Sequence, residues 1–310
     1  MPERIASISI IGDELHYAEV VVFDDRPPRL VRLGSCDFDF DLVESLSDGA
    51  ATGRYLAFTE ALEEVFGRSR IDRLHVALHP CDCVEFFLPM PSETPAVERM
   101  RQARFETGIL SSFDAGYPPL VTMEPVRSLD EQVAWYHLHR VPIDLVGQIE
   151  LFLTRLGMPA YQFWSSTRAV STLLARISRN ASSRTPFVLA VGRYPSHAEF
   201  TLSRAGEWVH SWYAPAASSG DSPFYVASML KRLGVAPRRV GRLLAYGSVQ
   251  DSPHALATLF QSELETLNPL EVFDDRPPRL VRLGSCDFDF DLVESLSDGA
   301  ATGRYLAFTE

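Results

Sequence analysis

The sequence predicts an α/β protein with two main domains, each of which opens with a meander of three strands and continues with helices. Three observations lead to this prediction. A succession of three strands and two turns occurs near the N-terminus and again after residue 186. A polar segment at 180–186 separates the two occurrences. Hydrophobic residues make up 46% and charged residues 23% of the 310 residues, which is typical of a folded protein with room for two domains.

The first half begins with apolar, β-branched runs that are separated by turn residues. Gly12 with Asp13 forms the first turn, and the Asp-Asp-Arg-Pro-Pro run at 24–28 forms the second. A helix with one apolar face follows, and two more strands come after it. The predicted strands are 4–11, 15–23, 29–34, 73–78 and 84–88, and the predicted helix is 55–66.

A different pattern of helices and strands follows residue 94. Pro95 suits the first turn of a helix, and Gly157 suits the C-terminal end of one. Residues 133–139 alternate between apolar and polar, as expected of a strand with one face in the core. The predicted helices are 96–107, 142–156 and 163–178, and the predicted strands are 120–126 and 132–140.

After the polar segment, the opening pattern recurs with low sequence similarity. Low similarity with a shared order of elements indicates an ancient repeat of one domain plan. The predicted strands are 187–191, 198–204, 208–213 and 240–246, and the predicted helices are 222–233 and 253–264. Two facing domains of this plan are typical of the actin-like fold, which sugar kinases and heat-shock chaperone ATPases share.

The C-terminal segment 272–310 repeats residues 22–60 letter for letter. Evolved repeats keep their core positions while their surfaces vary, so an identical copy indicates a recent duplication or an assembly accident. Two identical segments cannot occupy the same place in one fold. The second copy therefore hangs loose, adds a strand at a sheet edge, or replaces its twin in a neighbouring molecule to give a tail-swapped oligomer.

Charge and hydropathy exclude some classes of partner. The formal net charge is −12, which argues against nucleic acid as the main partner. No apolar run reaches the length of a membrane span, and the N-terminus lacks the pattern of a signal peptide. We therefore expect a cytoplasmic protein.

Four segments, in this order, resemble one family of actin-like proteins. The first two are ISIIGDELHYAEV at 8–20 and HVALHPCDCVEFFLPMP at 75–91. The others are a strand, helix, Leu-Gly turn and helix at 138–170, and PFVLAVGRYPSHAEFTLSRAGEW at 186–208. Together they resemble the PilM/GspL group, the actin-like cytoplasmic proteins of type IV pilus and type II secretion inner-membrane platforms. No single motif is specific, so the resemblance depends on their order over residues 1–271.

The resemblance implies a domain division and a set of partners. It assigns 1–91 and about 160–180 to a first actin-like domain, 92–159 to an inserted subdomain, and 186–271 to a second actin-like domain, leaving 272–310 as the duplicated tail. It also implies a peripheral location at the inner membrane. There, a groove between the first domain and the insertion would take a short cytoplasmic peptide from a single-span membrane protein. A secretion ATPase is a further implied partner.

The nucleotide motifs of this fold are degenerate here. Actin-like ATPases bind phosphate on two glycine turns, each preceded by an acid that holds Mg²⁺ and orients water. Gly12 and Gly192 are retained, but Ile11 precedes the first, and Ala190 replaces the acid of the second. Gly247 is what remains of the glycine pair on the adenosine side. These glycines are therefore interpreted as vestigial or ordinary turns. No catalytic residue, metal ligand or cofactor is predicted, and ATP binding is disfavoured.

Two alternative functions remain open at this point. One is an ATPase that holds Mg²⁺ with Asp13 or another relocated carboxylate. The other is a metabolic enzyme of the sugar-kinase and actin superfamily, since a fold alone does not decide function.

Two local clusters are interpreted structurally rather than as sites. The run His79–Cys83 resembles a zinc knuckle, but no second Cys/His pair follows it, so a linking turn is expected. His137 and His139 share one face of a strand, which is interpreted as a solvated face.

Overall fold

The computed structural model describes residues 2–47, 58–63, 66, 70–110, 120–130, 132–155, 157, 160–178, 186–215, 221–247, 254–268, 272–273 and 279–280. The strands of these residues form three sheets of six, five and three strands. Within the described ranges, no helix combines the length and apolarity needed to cross a membrane.

The first sheet contains the N-terminal meander. β1, β2 and β3 pair antiparallel in chain order, while β4 and β8 continue the sheet parallel to β1. The spatial order is β14-β3-β2-β1-β4-β8. The bounds are β1 (Glu3–Ile11), β2 (Glu14–Val22), β3 (Arg29–Asp37), β4 (Arg73–Leu78), β8 (Tyr161–Ser165) and β14 (Arg279–Leu280). The predicted meander and the strand after it are confirmed.

Three helices cover the outer face of this sheet. They are α1 (Leu42–Ser47), α2 (58–63) and α4 (Ile143–Arg155). Their buried side chains share one core with Ala6, Ile8 and Ile10 of β1. Of these three helices, only α1 was not predicted from the sequence, because its six residues are too few to show a helical period. The predicted helix 55–66 is helical at 58–63 and 66, and its other residues lie outside the described ranges.

The predicted helix 163–178 is wrong at its start. Residues Tyr161–Ser165 form β8, and helix α5 begins only at Ser166. Phe163 packs into the outer core while its neighbour Trp164 packs into the inner one, which is the alternation of a strand. From Phe163 onwards both faces of this strand are buried, so the adjacent Phe163 and Trp164 are both apolar and show no alternating pattern.

Strand β5, which the predicted division places in the first domain, joins β7 and β6 of the predicted insertion in a three-stranded antiparallel sheet, here called the inserted sheet. Helix α3 packs on it through Ala103, which is fully buried against Met90 and Leu138. The bounds are β5 (Val84–Pro91), α3 (Ala96–Leu110), β6 (Leu120–Val126) and β7 (Val133–Val141). The helix and strands predicted here are confirmed, with β5 three residues longer than expected because it continues past Leu88 to Pro91.

The second large sheet repeats the meander, with the order β11-β10-β9-β12-β13. Helices α6 and α7 pack on its outer face. The bounds are β9 (Phe187–Arg193), β10 (His197–Arg204), β11 (Glu207–Pro215), α6 (Ser222–Arg232), β12 (Val240–Gly247), α7 (His254–Phe260) and β13 (Leu264–Thr266). The predicted helix 253–264 ends early because Gln261 has a φ of 52°, which a helix cannot contain.

Helix α5 (Ser166–Ile177) lies between the two large sheets. The hydroxyl of Ser165 accepts a hydrogen bond from the backbone N–H of Arg168, at 3.2 Å, and so caps the N-terminus of the helix. Leu173 and Leu174 are fully buried in a core that also holds Ile11 of the first sheet and Leu244 of the second. One continuous hydrophobic core therefore joins the two sheets.

Part of the duplicated tail lies at the edge of the first sheet. Arg279 and Leu280 pair in parallel with Arg32 and Leu33 of β3. For these two residues the position matches the edge-strand alternative. The rest of the repeated segment, except 272–273, is outside the described residues.

Candidate functional site

Gly12 forms a genuine turn, as the sequence predicts. It has a φ of 58° and connects β1 to β2 by a two-residue hairpin. The backbone N–H of Leu42 donates to its carbonyl at 2.8 Å, and that of Phe38 donates to the carbonyl of Asp13 at 2.8 Å. The turn is thus tied to the segment that leads into α1, and the carboxylate of Asp41 lies nearby.

Gly192 is not a turn residue, which corrects the sequence-based prediction. It lies inside β9, paired with Glu199 of β10 on one side and Tyr246 of β12 on the other. A Cβ atom at this position would come within 2.3 Å of the Tyr246 ring. The close approach that requires glycine here is therefore made by a side chain of the protein itself.

Gly247 is also placed by internal packing. It has a φ of 106°, and an added Cβ would lie 2.2 Å from the carbonyl oxygen of Arg193. It is the last residue of β12 and pairs with that same arginine. At both Gly192 and Gly247, atoms of the protein itself occupy the space beside the Cα atom that a ligand would need.

Tyr194 fills the tip of the hairpin where the second phosphate turn was expected. Its backbone N–H donates to the carbonyl of His197 at 2.9 Å, which closes the β9–β10 hairpin. Its side chain is buried and packs in the core that contains Ile11, the residue before Gly12. The ring stacks on His197 at 4.8 Å and meets the edge of His79 at 4.7 Å. The region between the two expected phosphate turns is thus occupied by buried side chains.

A buried polar group, here called the inter-sheet cluster, lies beside Tyr194. It consists of His79, Ser166, His197, Glu199 and Tyr246. Oε1 of Glu199 lies 2.6 Å from Nδ1 of His79, 3.0 Å from Nε2 of His197, and 2.6 Å from the hydroxyl of Ser166. The Tyr246 hydroxyl donates to Oε2 at 3.2 Å. The members come from both large sheets and from the start of α5.

The charge of Glu199 is stabilised despite its complete burial. Burial acts to raise its pKa, but the charge of His79 and hydrogen bonds from both histidines lower the pKa below its ordinary value. Burial, and then the charge of the same carboxylate, raises the pKa of Tyr246, which keeps that hydroxyl a donor. Two imidazoles and one carboxylate that converge in this way have the chemistry of a metal site or of a charge-neutralising network.

A second polar group, the Glu85 cluster, connects the inserted sheet to α5. Nε2 of His137 lies 2.5 Å from Oε1 of Glu85, and the hydroxyl of Thr167 donates to the same oxygen. His137 and His139 are both buried, so the interpretation as a solvated strand face is wrong. The ring of Trp208, from the second sheet, covers His137 at 4.4 Å. This strand face is covered by a residue of the second sheet, which is distant in the chain, so the local sequence pattern could not reveal its burial.

An open groove, here called the Trp135 groove, lies between the inserted sheet and the second sheet. Its volume is about 590 Å³. Its lining includes Leu129, Trp135, Val209, Met229, Arg232 and Leu233. A second groove of about 450 Å³ adjoins it and shares part of its lining, including Arg127, Leu129 and Trp135. The groove expected from the resemblance lies between the first domain and the insertion, whereas these two face the second sheet.

Arg127 lines both grooves and is held in place by the second sheet. Its backbone N–H donates to the carbonyl of Trp208 at 2.6 Å, and its guanidinium forms an ion pair with Glu207. The inserted sheet is therefore attached to the edge strand β11 of the second sheet. This attachment gives the Trp135 groove two walls from different sheets.

Comparison with known proteins identifies the fold. No family profile and no curated protein sequence matches the chain. A chain of the PilM–PilN type IV pilus biogenesis complex superposes with a TM-score of 0.66 at 14% identity, over 98% of this chain and 97% of that one. A Bacteroides thetaiotaomicron protein, described as having an actin-like ATPase fold and unknown function, gives 0.53 at 10% identity, over 88% and 93%. This protein has the actin-like fold.

A further structural match is weaker. The cytoplasmic domain of EpsL, from the type II secretion system of Vibrio cholerae, covers 96% of this chain and 94% of that one at 11% identity. Its TM-score of 0.43 is too low to carry an argument. The resemblance to PilM is thus confirmed at the level of the fold.

The inter-sheet cluster of this actin-like fold was not among the features predicted from the sequence. In the chain, His79 stands beside Cys81 and Cys83, and no local spacing connects it with Glu199. The partners of His79 are more than a hundred residues away in the chain, so no local spacing could reveal them. A usable signal was the alternation of His197 and Glu199 in a strand whose neighbours are apolar.

Proposed function

We propose that this protein is a non-catalytic actin-like scaffold of an inner-membrane pilus or secretion platform, which binds a short peptide of a membrane partner. One observation carries the proposal: the chain keeps the whole PilM fold while buried side chains fill the region of the second phosphate turn. The domain limits 1–91 with 160–180, 92–159 and 186–271 are part of this proposal, as is a location at the cytoplasmic face of the inner membrane.

The filled region supports a non-catalytic role. A nucleotide between the two hairpins would have to displace Tyr194 from a shared hydrophobic core. It would also have to move the Tyr246 ring from its contact with Gly192. In addition, the two positions that carry Mg²⁺-binding acids in ATPases of this fold hold apolar residues. These features together disfavour both binding and hydrolysis of Mg·ATP.

The Trp135 groove supports peptide binding. Leu129 is 42% exposed, and the groove also offers the apolar side chains of Val209, Met229 and Leu233. Arg232, exposed at the C-terminal end of α6, adds a positive charge to the rim. Such a combination suits a short segment with apolar anchors and an acidic residue. In the similar solved complex, PilM is assembled with PilN.

Docking of a secretion ATPase and swapping of the tail remain predictions.

A charge in the groove is expected to abolish peptide binding. The probe is a labelled synthetic peptide covering the cytoplasmic segment of a small single-span membrane protein encoded beside this gene. Leu129→Arg should weaken its binding at least about tenfold, measured by fluorescence anisotropy with the full chain, because a buried charge would replace an apolar contact.

The matched control is Leu151→Arg on α4, which is 56% exposed and lies outside the groove lining. It should bind the peptide as the wild type does. Equal loss of binding in both variants, or a wild type that binds no such peptide, would contradict the proposed function.

A second candidate function is an ATPase with a relocated Mg²⁺ ligand. The observation that favours it is the carboxylate of Asp41, of which one oxygen lies 3.8 Å from the position of a Cβ on Gly12. Asp13 stands in the same turn. Oxygen ligands of this kind suit Mg²⁺. This candidate requires measurable Mg·ATP binding, which the scaffold does not.

A further inference from the structure

We propose that His79, His197 and Glu199 bind a divalent transition-metal ion, with zinc as the best-matched element, at the junction of the two large sheets. One potential ligand atom from each residue lies within 4.8 Å of the others. All three side chains are buried, His79 and Glu199 completely. The proposal does not depend on the scaffold function.

The donor set selects the class of ion. Two imidazole nitrogens and one carboxylate oxygen are the ligands of many three-residue zinc sites, which leave a fourth position for water or another group. Mg²⁺ and Ca²⁺ prefer oxygen ligands alone, so this is not a relocated nucleotide Mg²⁺ site.

The distances require only a small expansion. Nδ1 of His79 and Nε2 of His197 lie 2.6 and 3.0 Å from Oε1 of Glu199. Ligand atoms about 2.0–2.2 Å from a tetrahedral ion stand about 3.3 Å from one another. Movement of each of these two nitrogens away from Oε1 by less than about 1 Å would therefore give both pairs the spacing that the ion needs.

Neighbouring groups hold two of the ligands in the orientation that metal binding needs. Nδ1 of His197, the nitrogen that faces away from Glu199, lies 2.9 Å from the hydroxyl of Ser196. With its proton on Nδ1, this ring presents the Nε2 lone pair to the proposed ion. The hydroxyls of Ser166 and Tyr246 fix the carboxylate of Glu199. Outer groups of this kind set ligand orientation in known metal sites.

Asp82 provides a second, independent observation. It is the fourth residue of the turn that begins at His79, and its backbone N–H donates to the His79 carbonyl at 2.9 Å. One of its carboxylate oxygens is buried without a hydrogen-bond partner. The charges of His79 and His197 act on this carboxylate, which lies outside the three-ligand group. A water bound to the proposed cation would give its buried, unpartnered oxygen a hydrogen-bond partner.

The ion would connect parts of the chain that are far apart. His79 follows β4 of the first sheet, whereas His197 and Glu199 belong to β10 of the second. Bound metal would hold the two sheets together across the hairpin tip of Tyr194. It should therefore raise the thermal unfolding temperature of the whole protein.

The test uses the full chain, freed of metal by a chelator and then titrated with Zn²⁺ alone in a calorimeter. One Zn²⁺ ion per chain is expected, with a raised unfolding temperature. The X-ray absorption spectrum of the zinc-loaded wild type should show nitrogen and oxygen ligands at about 2.0 Å with imidazole scattering and no sulfur. A folded wild type that binds no Zn²⁺, or a spectrum with sulfur ligands from Cys81 or Cys83, would overturn the proposal.

Variants locate the site. His79→Gln, His197→Gln and Glu199→Gln should each weaken Zn²⁺ binding at least about tenfold. The control His139→Gln changes a buried histidine of β7, outside the three proposed ligands, and should leave the affinity unchanged. If all four folded variants bind Zn²⁺ equally, the ion lies elsewhere and the assignment is wrong. Should a variant fail to fold, the wild-type spectrum still decides the ligand set.

Discussion

Gly247→Ala is expected to destabilise the protein by about 3 kcal/mol or more. The added methyl group would lie 2.2 Å from the carbonyl oxygen and 2.6 Å from the nitrogen of Arg193. Both are backbone atoms of a paired strand, so they cannot rotate away as a side chain could. The φ of 106° is unfavourable for alanine in any case. Urea unfolding monitored by circular dichroism measures the effect.

Gly147→Ala is the matched control. Gly147 lies inside α4, and nothing stands within 4 Å of its added Cβ. The same chemical change should therefore stabilise the protein by about 0.5–1 kcal/mol through helix propensity. Similar small effects at both positions would show that Gly247 is free of the Arg193 backbone, as a ligand-binding turn would be.

Acid is expected to unfold the protein between about pH 6.5 and pH 4. Burial, the largest cause, lowers the pKa of His75, His139 and His210 from 6.5 to about 4 in each case. The positive charges of Arg73 and Arg168 lower it further for His75. Around His139 and His210, the charge of His137 also lowers the pKa while that of Glu85 opposes it.

The direction follows from proton uptake. The unfolded chain binds protons at these histidines below about pH 6.5, but the folded chain keeps them neutral until about pH 4, so stability falls as the pH falls through this window. At about 1.4 kcal/mol per pKa unit, each fully shifted histidine accounts for about 3.5 kcal/mol at most.

The measurement is the free energy of unfolding in urea at a series of pH values from 7 to about 4.5. The double variant His75→Gln, His139→Gln should have a shallower pH dependence, whatever its stability at pH 7. A wild type whose stability does not change across this window would show that these histidines are protonated in the folded state.

The order of strands and helices could be read from the sequence because turn residues and β-branched runs are local signals. Both meanders and the individual strands of the inserted sheet were predicted on this basis. The failures arose where tertiary packing replaces the local signal. The strand Tyr161–Ser165 is buried on both faces from Phe163 onwards and so lacks alternation there, and Gln261 ends α7 by its backbone conformation rather than by its residue type.

The candidate site was harder to predict than the fold. Gly12 was correctly predicted as a turn, because a glycine-aspartate pair between two strands is a local signal. Gly192 was predicted as a turn but pairs within the sheet, since the contact that demands glycine comes from Tyr246, far along the chain. The inter-sheet cluster also depends on contacts between distant segments. Such contacts leave no spacing pattern in a single sequence.

The scaffold account is tested most directly by calorimetric titration of Mg·ATP into the full-length protein. The account predicts no heat beyond that of dilution up to millimolar nucleotide, because Tyr194 and Tyr246 fill the region that a nucleotide would need. Saturable binding with a micromolar dissociation constant would contradict it. That result would show that other carboxylates have replaced the missing acids and would favour the ATPase.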